Sequence, residues 1–162
     1  MHKKEIAYLF RKEDPINITV KNSSRNENDF REALFVEYAN DKIVIKLAEN
    51  EFTDEEHLYM WMTIAKKYKE LGYYCPQYIK ALNGTFPKVS YEGHDCIAYA
   101  EEYSRYRSAD EVIEDKYKET GLMVDGYYSF LEDMVLMNAK VAAKHYDFTK
   151  LPSAYCMFEL FD

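Results

Sequence analysis

Apolar and polar residues alternate along residues 16–21 (I-N-I-T-V-K), and β-rich runs follow at 33–38 and 43–47, joined by Ala39-Asn40-Asp41-Lys42. A two-residue period turns successive side chains to opposite faces, so these runs predict three antiparallel strands, the last two a hairpin. Between the first two lies Asn22-Ser23-Ser24-Arg25-Asn26-Glu27-Asn28-Asp29. Its residue types bond to nearby backbone and favour turns, which predicts a loop at the rim of a sheet. The rhythm then changes. Leu58, Trp61, Met62, Ala65 and Tyr68 recur at three- and four-residue steps behind Thr53-Asp54-Glu55-Glu56. That tetrapeptide reads as a capping box with Thr53 as N-cap and Glu56 three residues on, opening an amphipathic helix that Gly72 ends.

Past Tyr73-Tyr74-Cys75-Pro76 come residues 77–82, an Asn83-Gly84 turn, residues 87–91, a Glu92-Gly93 turn and a last extended run at 96–103. Asn-Gly between extended runs is a hairpin signal. The order predicts an α+β architecture, a five-stranded antiparallel sheet with one packed helix. Residues 104–121 are dominated by charge and predict a linker with no more than a short helical turn. Tyr127, Phe130, Leu131, Met134, Met137 and Val141 then mark a long amphipathic helix over about 124–144. The expected organisation is a sheet-and-helix unit at 1–103, a linker at 104–123 and the start of a helical unit at 124–162.

Composition narrows the classes. With 162 residues, 48% of them apolar, and 16 tyrosines and 9 phenylalanines, the chain can bury a core. A net charge of -8 excludes a broad nucleic-acid-binding face, which needs clustered Lys and Arg. Met1-His2-Lys3-Lys4-Glu5 leads into no apolar leader, and no run approaches the ~20 apolar residues of a membrane span, so a cytoplasmic protein without membrane association is expected. Cys75, Cys96 and Cys156 are odd in number and show no C-x-x-C spacing, which suits three buried thiols in a reducing compartment. His2, His57, His94 and His145 lack metal-ligand spacing.

The candidate chemistry begins with Ile43-Val44-Ile45-Lys46-Leu47, a lysine inside an apolar strand, where a buried ammonium calls for an anionic partner. This run resembles the V-A-I-K strand of protein kinases, and more closely the equivalent strand of the aminoglycoside/choline phosphotransferase family. The resemblance implies that Lys46 contacts the α- and β-phosphates of ATP and pairs with a glutamate of the following helix. Two glutamates are available. On a helical wheel Glu55 lies about 80° from the centre of the apolar stripe and Glu56 almost opposite it, which favours Glu55 and leaves Glu56 to the cap. The resemblance further implies that the loop carrying Ser23, Ser24, Arg25 and Asn26 covers the phosphates, although it lacks the glycines of the protein-kinase loop. It also implies that the strand end Glu101-Glu102-Tyr103 reads adenine through its backbone. It covers residues 16–146, the N-terminal lobe and the first helix of the second.

The same family needs an H-x-D with asparagine five residues after the aspartate and a later metal-binding aspartate. Here His145-Tyr146-Asp147 is followed at that spacing by Pro152, so His145 reads instead as a helix-end residue. The expectation is therefore an ATP-binding portion of a small-molecule kinase, incomplete for catalysis, with Mg²⁺ ligands and the small-molecule acceptor pocket contributed elsewhere. Copies are expected to associate through the apolar face at 127–141. The rival reading is a non-catalytic binding or interaction module of the same shape.

Overall fold

Six strands form one antiparallel sheet in the computed structural model, which describes residues 1–145 apart from the side chains of 109–110 and 123–129. They are β1 (Asn17–Asn22), β2 (Phe30–Glu37), β3 (Lys42–Glu49), β4 (Tyr78–Ile79), β5 (Lys88–Tyr91) and β6 (His94–Glu102). Four helices accompany them: α1 (Lys3–Phe10), α2 (Glu55–Glu70), α3 (Ala109–Thr120) and α4 (Met123–Ala143). The fold is α+β, as the alternation of periods predicts. No helix among the described residues is long and apolar enough to cross a membrane.

The strand order is β1-β2-β3-β6-β4, and β5 pairs with the other end of β6. Thus β6 meets Lys88–Tyr91 with its first half and Tyr78–Ile79 with its second. Both β4 and β5 run antiparallel to β6, so the Asn83-Gly84 turn belongs to an excursion between two pieces of one edge and joins no hairpin. There Asn83 Oδ1 accepts from the Thr85 N–H at 3.1 Å. The hairpin signal is met at Glu92-Gly93, where both residues have positive φ (51° and 89°), the backbone of a two-residue turn between β5 and β6.

Period-two patterning assigns the sheet's faces. Leu34, Val36, Ile43, Ile45, Leu47, Cys96, Ala98 and Ala100 point one way and form the larger core. That face is covered by α1, whose Ile6, Ala7 and Phe10 are buried in the same cluster. The expected single packed helix is therefore corrected to two, one on each face. Glu32 also enters this core, where the Tyr91 hydroxyl donates to it at 2.7 Å and satisfies a carboxylate that burial would otherwise penalise. Burial pushes the Cys96 thiol up to about 12, which leaves it a packing residue.

The opposite face carries Ala48, Ile97 and Tyr99, against which α2 packs Leu58, Trp61 and Met62. The helix begins one residue later than the capping-box reading has it. Its N-cap is Asp54, whose Oδ1 accepts from the His57 N–H at 2.8 Å, so Thr53 and Glu56 form no box. A carboxylate serves the helix's positive N-terminal end better than a hydroxyl does. Gly72, at φ 87°, closes the helix as expected, with Tyr73 N–H reaching the Tyr68 carbonyl at 3.1 Å. His57, through its backbone N–H first and its ring second, holds the Asp54 carboxyl below its ordinary value of 3.8. A depressed native value means that the cap's contribution is complete above pH 3.8 and is lost as pH falls through that lower value. Asp54→Ala is expected to cost about 1 kcal/mol at neutral pH, read by urea unfolding, and to flatten the acid limb of the stability profile.

Residues 104–121 hold a three-turn helix where a linker is expected. Ser108 accepts from Glu111 N–H while Glu111 accepts from Ser108 N–H, a true capping box, and Gly121 ends α3 in the left-handed conformation at φ 71°. Glu114–Lys118 at 2.8 Å and Arg107–Asp115 at 2.6 Å add surface pairs. α4 follows the expected bounds closely. On it Leu131, Met134, Val135 and Leu136 are exposed, while Phe130, Met137 and Val141 are half-buried. The Tyr127 side chain, Asp147, Pro152, Cys156 and the remainder of the segment 146–162 lie outside the described residues. His145 closes α4 as expected, its N–H on the Ala142 carbonyl at 3.0 Å.

Candidate nucleotide site

Lys46 projects from the middle of β3 on the face that α2 covers. It lies between Ala33 of β2 and Tyr99 of β6 in register. Its Nζ meets both carboxylate oxygens of Glu101 at 2.8 Å. The side chains are 38% and 15% exposed, so the pair is half-enclosed rather than solvated. Tyr99 lies beneath, its ring centroid 5.8 Å from Nζ, and stacks on Tyr78 at 5.8 Å. Desolvation raises both phenols, so these hydroxyls remain neutral walls.

The expected pairing with a helix glutamate is thus replaced. Lys46 faces Tyr99 across the ladder, which makes Glu101 its diagonal same-face neighbour two residues along β6, within reach of a long side chain. The packed positions of α2, at 58, 61, 62 and 65, are all apolar and offer no acid. Glu55 and Glu56 are exposed in the first turn of α2 and line a separate depression with Lys88, Ser90 and Asp95, toward the β5 end.

The predicted loop follows β1 and seals itself with local bonds. Ser24 Oγ accepts from the Arg31 N–H at 2.9 Å, and Ser23 N–H reaches the Arg31 carbonyl at 2.8 Å. Asn26 Oδ1 accepts from the Asn28 N–H at 2.9 Å. Arg25 and Asn26 then line a cleft of about 970 Å³ with Arg31, Asn50, Thr53 and the indole of Trp61. Its cations are not isolated, because Arg31 Nε bonds Asp29 at 2.5 Å and Glu27 and Glu51 also face the space.

At the other end of the face, Ala33, Phe35 and Val44 are half-buried and form an apolar shelf beside Lys46. Tyr103 closes its rim, edge-on to Phe35 at 6.3 Å. The backbone expected to read a base is partly committed. Glu101 pairs with Val44 on one side and Tyr78 on the other, and Glu102 N–H donates to the Gln77 carbonyl at 3.0 Å. Glu102 also accepts from Gln77 N–H at 3.3 Å through its side chain. The polar group that this strand end presents to the shelf is the Glu101 carboxylate; the sequence pattern reads Glu101 and Glu102 as solvated charges, and for Glu101 this is corrected by its enclosed pairing with Lys46.

Apolar shelf, lysine and loop-covered cleft are therefore arranged in a line along one sheet face. Val44 to Ala48 spans four residues, roughly 13 Å of extended chain. Among the described residues no three His, Cys, Asp or Glu side chains converge as a metal cage. No protein-family model and no curated protein matches the chain.

Proposed function

We propose that this chain is the nucleotide-binding lobe of a small-molecule phosphotransferase resembling the aminoglycoside/choline kinases, taking ATP on the Lys46 face. The observation that carries the reading is the linear order of shelf, lysine and cleft, with a helix crossing the same face after the third strand. A purine suits the shelf of Ala33, Phe35 and Val44, and the ammonium of Lys46 suits the α- and β-phosphates. The loop of Ser23, Ser24, Arg25 and Asn26 then overhangs the terminal phosphates from the cleft side. Lys46 is held ready by Glu101, which occupies the role expected of a helix glutamate and keeps the ammonium extended across the face.

Turnover needs more than this. Phosphoryl transfer requires a base or positioning aspartate and metal-held phosphates, and the H-x-D of this chain, His145-Tyr146-Asp147, lacks the asparagine five residues after its aspartate. The proposal is accordingly binding without transfer. Calorimetric titration of the chain with MgATP is expected to show weak one-to-one binding that Lys46→Ala abolishes, with no phosphate passed to any amino alcohol or aminoglycoside. Binding unaffected by Lys46→Ala would place the nucleotide elsewhere, and absence of any binding would refute the reading.

A further inference from the structure

Glu101 has a second property that bears on which nucleotide the face accepts. Its carboxylate is 15% exposed, shares the face with Val44 and Phe35, and belongs to the strand end at the base side of Lys46. The backbone of Glu101 and Glu102 is engaged by β3, β4 and Gln77, so of these two residues it is the Glu101 side chain that offers a polar group to a base on this face. Lys46 satisfies both of its oxygens. Phosphates that draw Lys46 toward themselves loosen that pair, and a mostly buried carboxylate then needs another donor.

We propose that Glu101 reads position six of the purine, accepting a hydrogen bond from a 6-amino group and rejecting a 6-oxo group; this rests on the nucleotide reading above. An exocyclic amine carries N–H donors and replaces the ammonium as the carboxylate's partner. A carbonyl oxygen at the same ring position turns lone pairs toward a negative charge and leaves the carboxylate unpaired. Sites built around a buried hydrogen bond discriminate strongly against the analogue that cannot make it, on the order of 100-fold or more. Base selection and lysine release are thereby coupled, because the correct base stabilises Glu101 at the moment Lys46 turns to the phosphates.

The test compares ATP with inosine triphosphate, in which a 6-oxo group replaces the 6-amino group and N1 gains a hydrogen, and which carries no 2-amino group; Glu101 is placed to meet the substituent at position six and not N1. The whole chain is titrated calorimetrically with each magnesium salt, alongside Glu101→Gln. The expected result is binding of ATP and no detectable heat from inosine triphosphate at concentrations that saturate with ATP. Glu101→Gln, whose amide can donate as well as accept, is expected to acquire inosine triphosphate binding within about tenfold of its ATP binding. A merely structural role for Glu101 would lower both affinities together and produce no such gain. Equal binding of the two nucleotides by the unaltered chain, lost for both in Lys46→Ala, would overturn the inference and leave the nucleotide site standing. Failure of ATP to bind the unaltered chain would overturn both. The comparison on the unaltered chain needs no variant, and a melting curve of Glu101→Gln shows that its fold is kept.

Discussion

Ile6→Ala should lower the stability of the folded chain by about 2–5 kcal/mol, the range for truncating a large aliphatic side chain in a packed interior. Ile6 is 0% exposed and lies in one cluster with Leu34, Val36, Ile43 and Ile45. The helix carrying it is anchored at its C-terminal end. Leu82 N–H donates to the Leu9 carbonyl at 2.8 Å, and Arg11 forms an ion pair with Asp41. A cavity at Ile6 can therefore collapse only by moving α1 off a sheet that it is tied to. Equilibrium urea unfolding monitored by tryptophan emission and circular dichroism measures the loss. A change below about 0.5 kcal/mol, the range of ordinary surface substitutions, would mean that α1 does not cover this face.

Lys46→Met has a comparable cause and a different meaning. Removing the ammonium leaves the Glu101 carboxylate, 15% exposed, beside Tyr78 and Tyr99 without its charge partner. Because the lysine side chain is 38% exposed, water can partly replace it, and the expected cost is about 1–3 kcal/mol rather than that of a fully buried pair. Lys46→Met/Glu101→Leu should recover most of the loss, since two apolar groups of similar shape leave no stranded charge. Unfolding of the two single variants and the double closes the cycle. A double variant no more stable than Lys46→Met would show that the two residues do not interact. The double variant also serves as a folded control without the ammonium, which separates loss of nucleotide contacts from loss of stability.

The strands were readable where alternation was strong, and α2 where Leu58, Trp61, Met62 and Ala65 repeat at helical spacing. α1 escaped because its apolar residues, Ile6, Ala7, Leu9 and Phe10, fill only two turns and follow a charged start. α3 escaped for the opposite reason. It is polar almost throughout, with Ile113 as its buried residue, so hydrophobic period was silent, yet Ser108 and Glu111 stood at capping-box spacing. That signal was local and available.

The site divides in the same way. Lys46 was legible because an ammonium within an apolar strand demands a partner. Its actual partner was not, because Glu101 meets it only through the register that sets Lys46 against Tyr99, and register joins residues far apart in sequence. On a helical wheel Glu55 ranks above Glu56 by its position relative to the apolar stripe. The packing of α2 through Leu58, Trp61 and Met62, with its acidic first turn held toward the β5 edge, is set by tertiary contacts that a wheel does not contain.

Chemical-shift mapping of the ¹⁵N-labelled chain on addition of MgATP tests the central claim most directly, because it reports location as well as binding. The account predicts shifts concentrated at Ala33, Phe35, Val44, Lys46 and Glu101–Tyr103, continuing into Ser24–Asn26, and their loss in Lys46→Met/Glu101→Leu. Shifts confined to the cleft lined by Tyr73, Tyr74, Arg105 and Tyr106, or no shifts at saturating nucleotide, would contradict it.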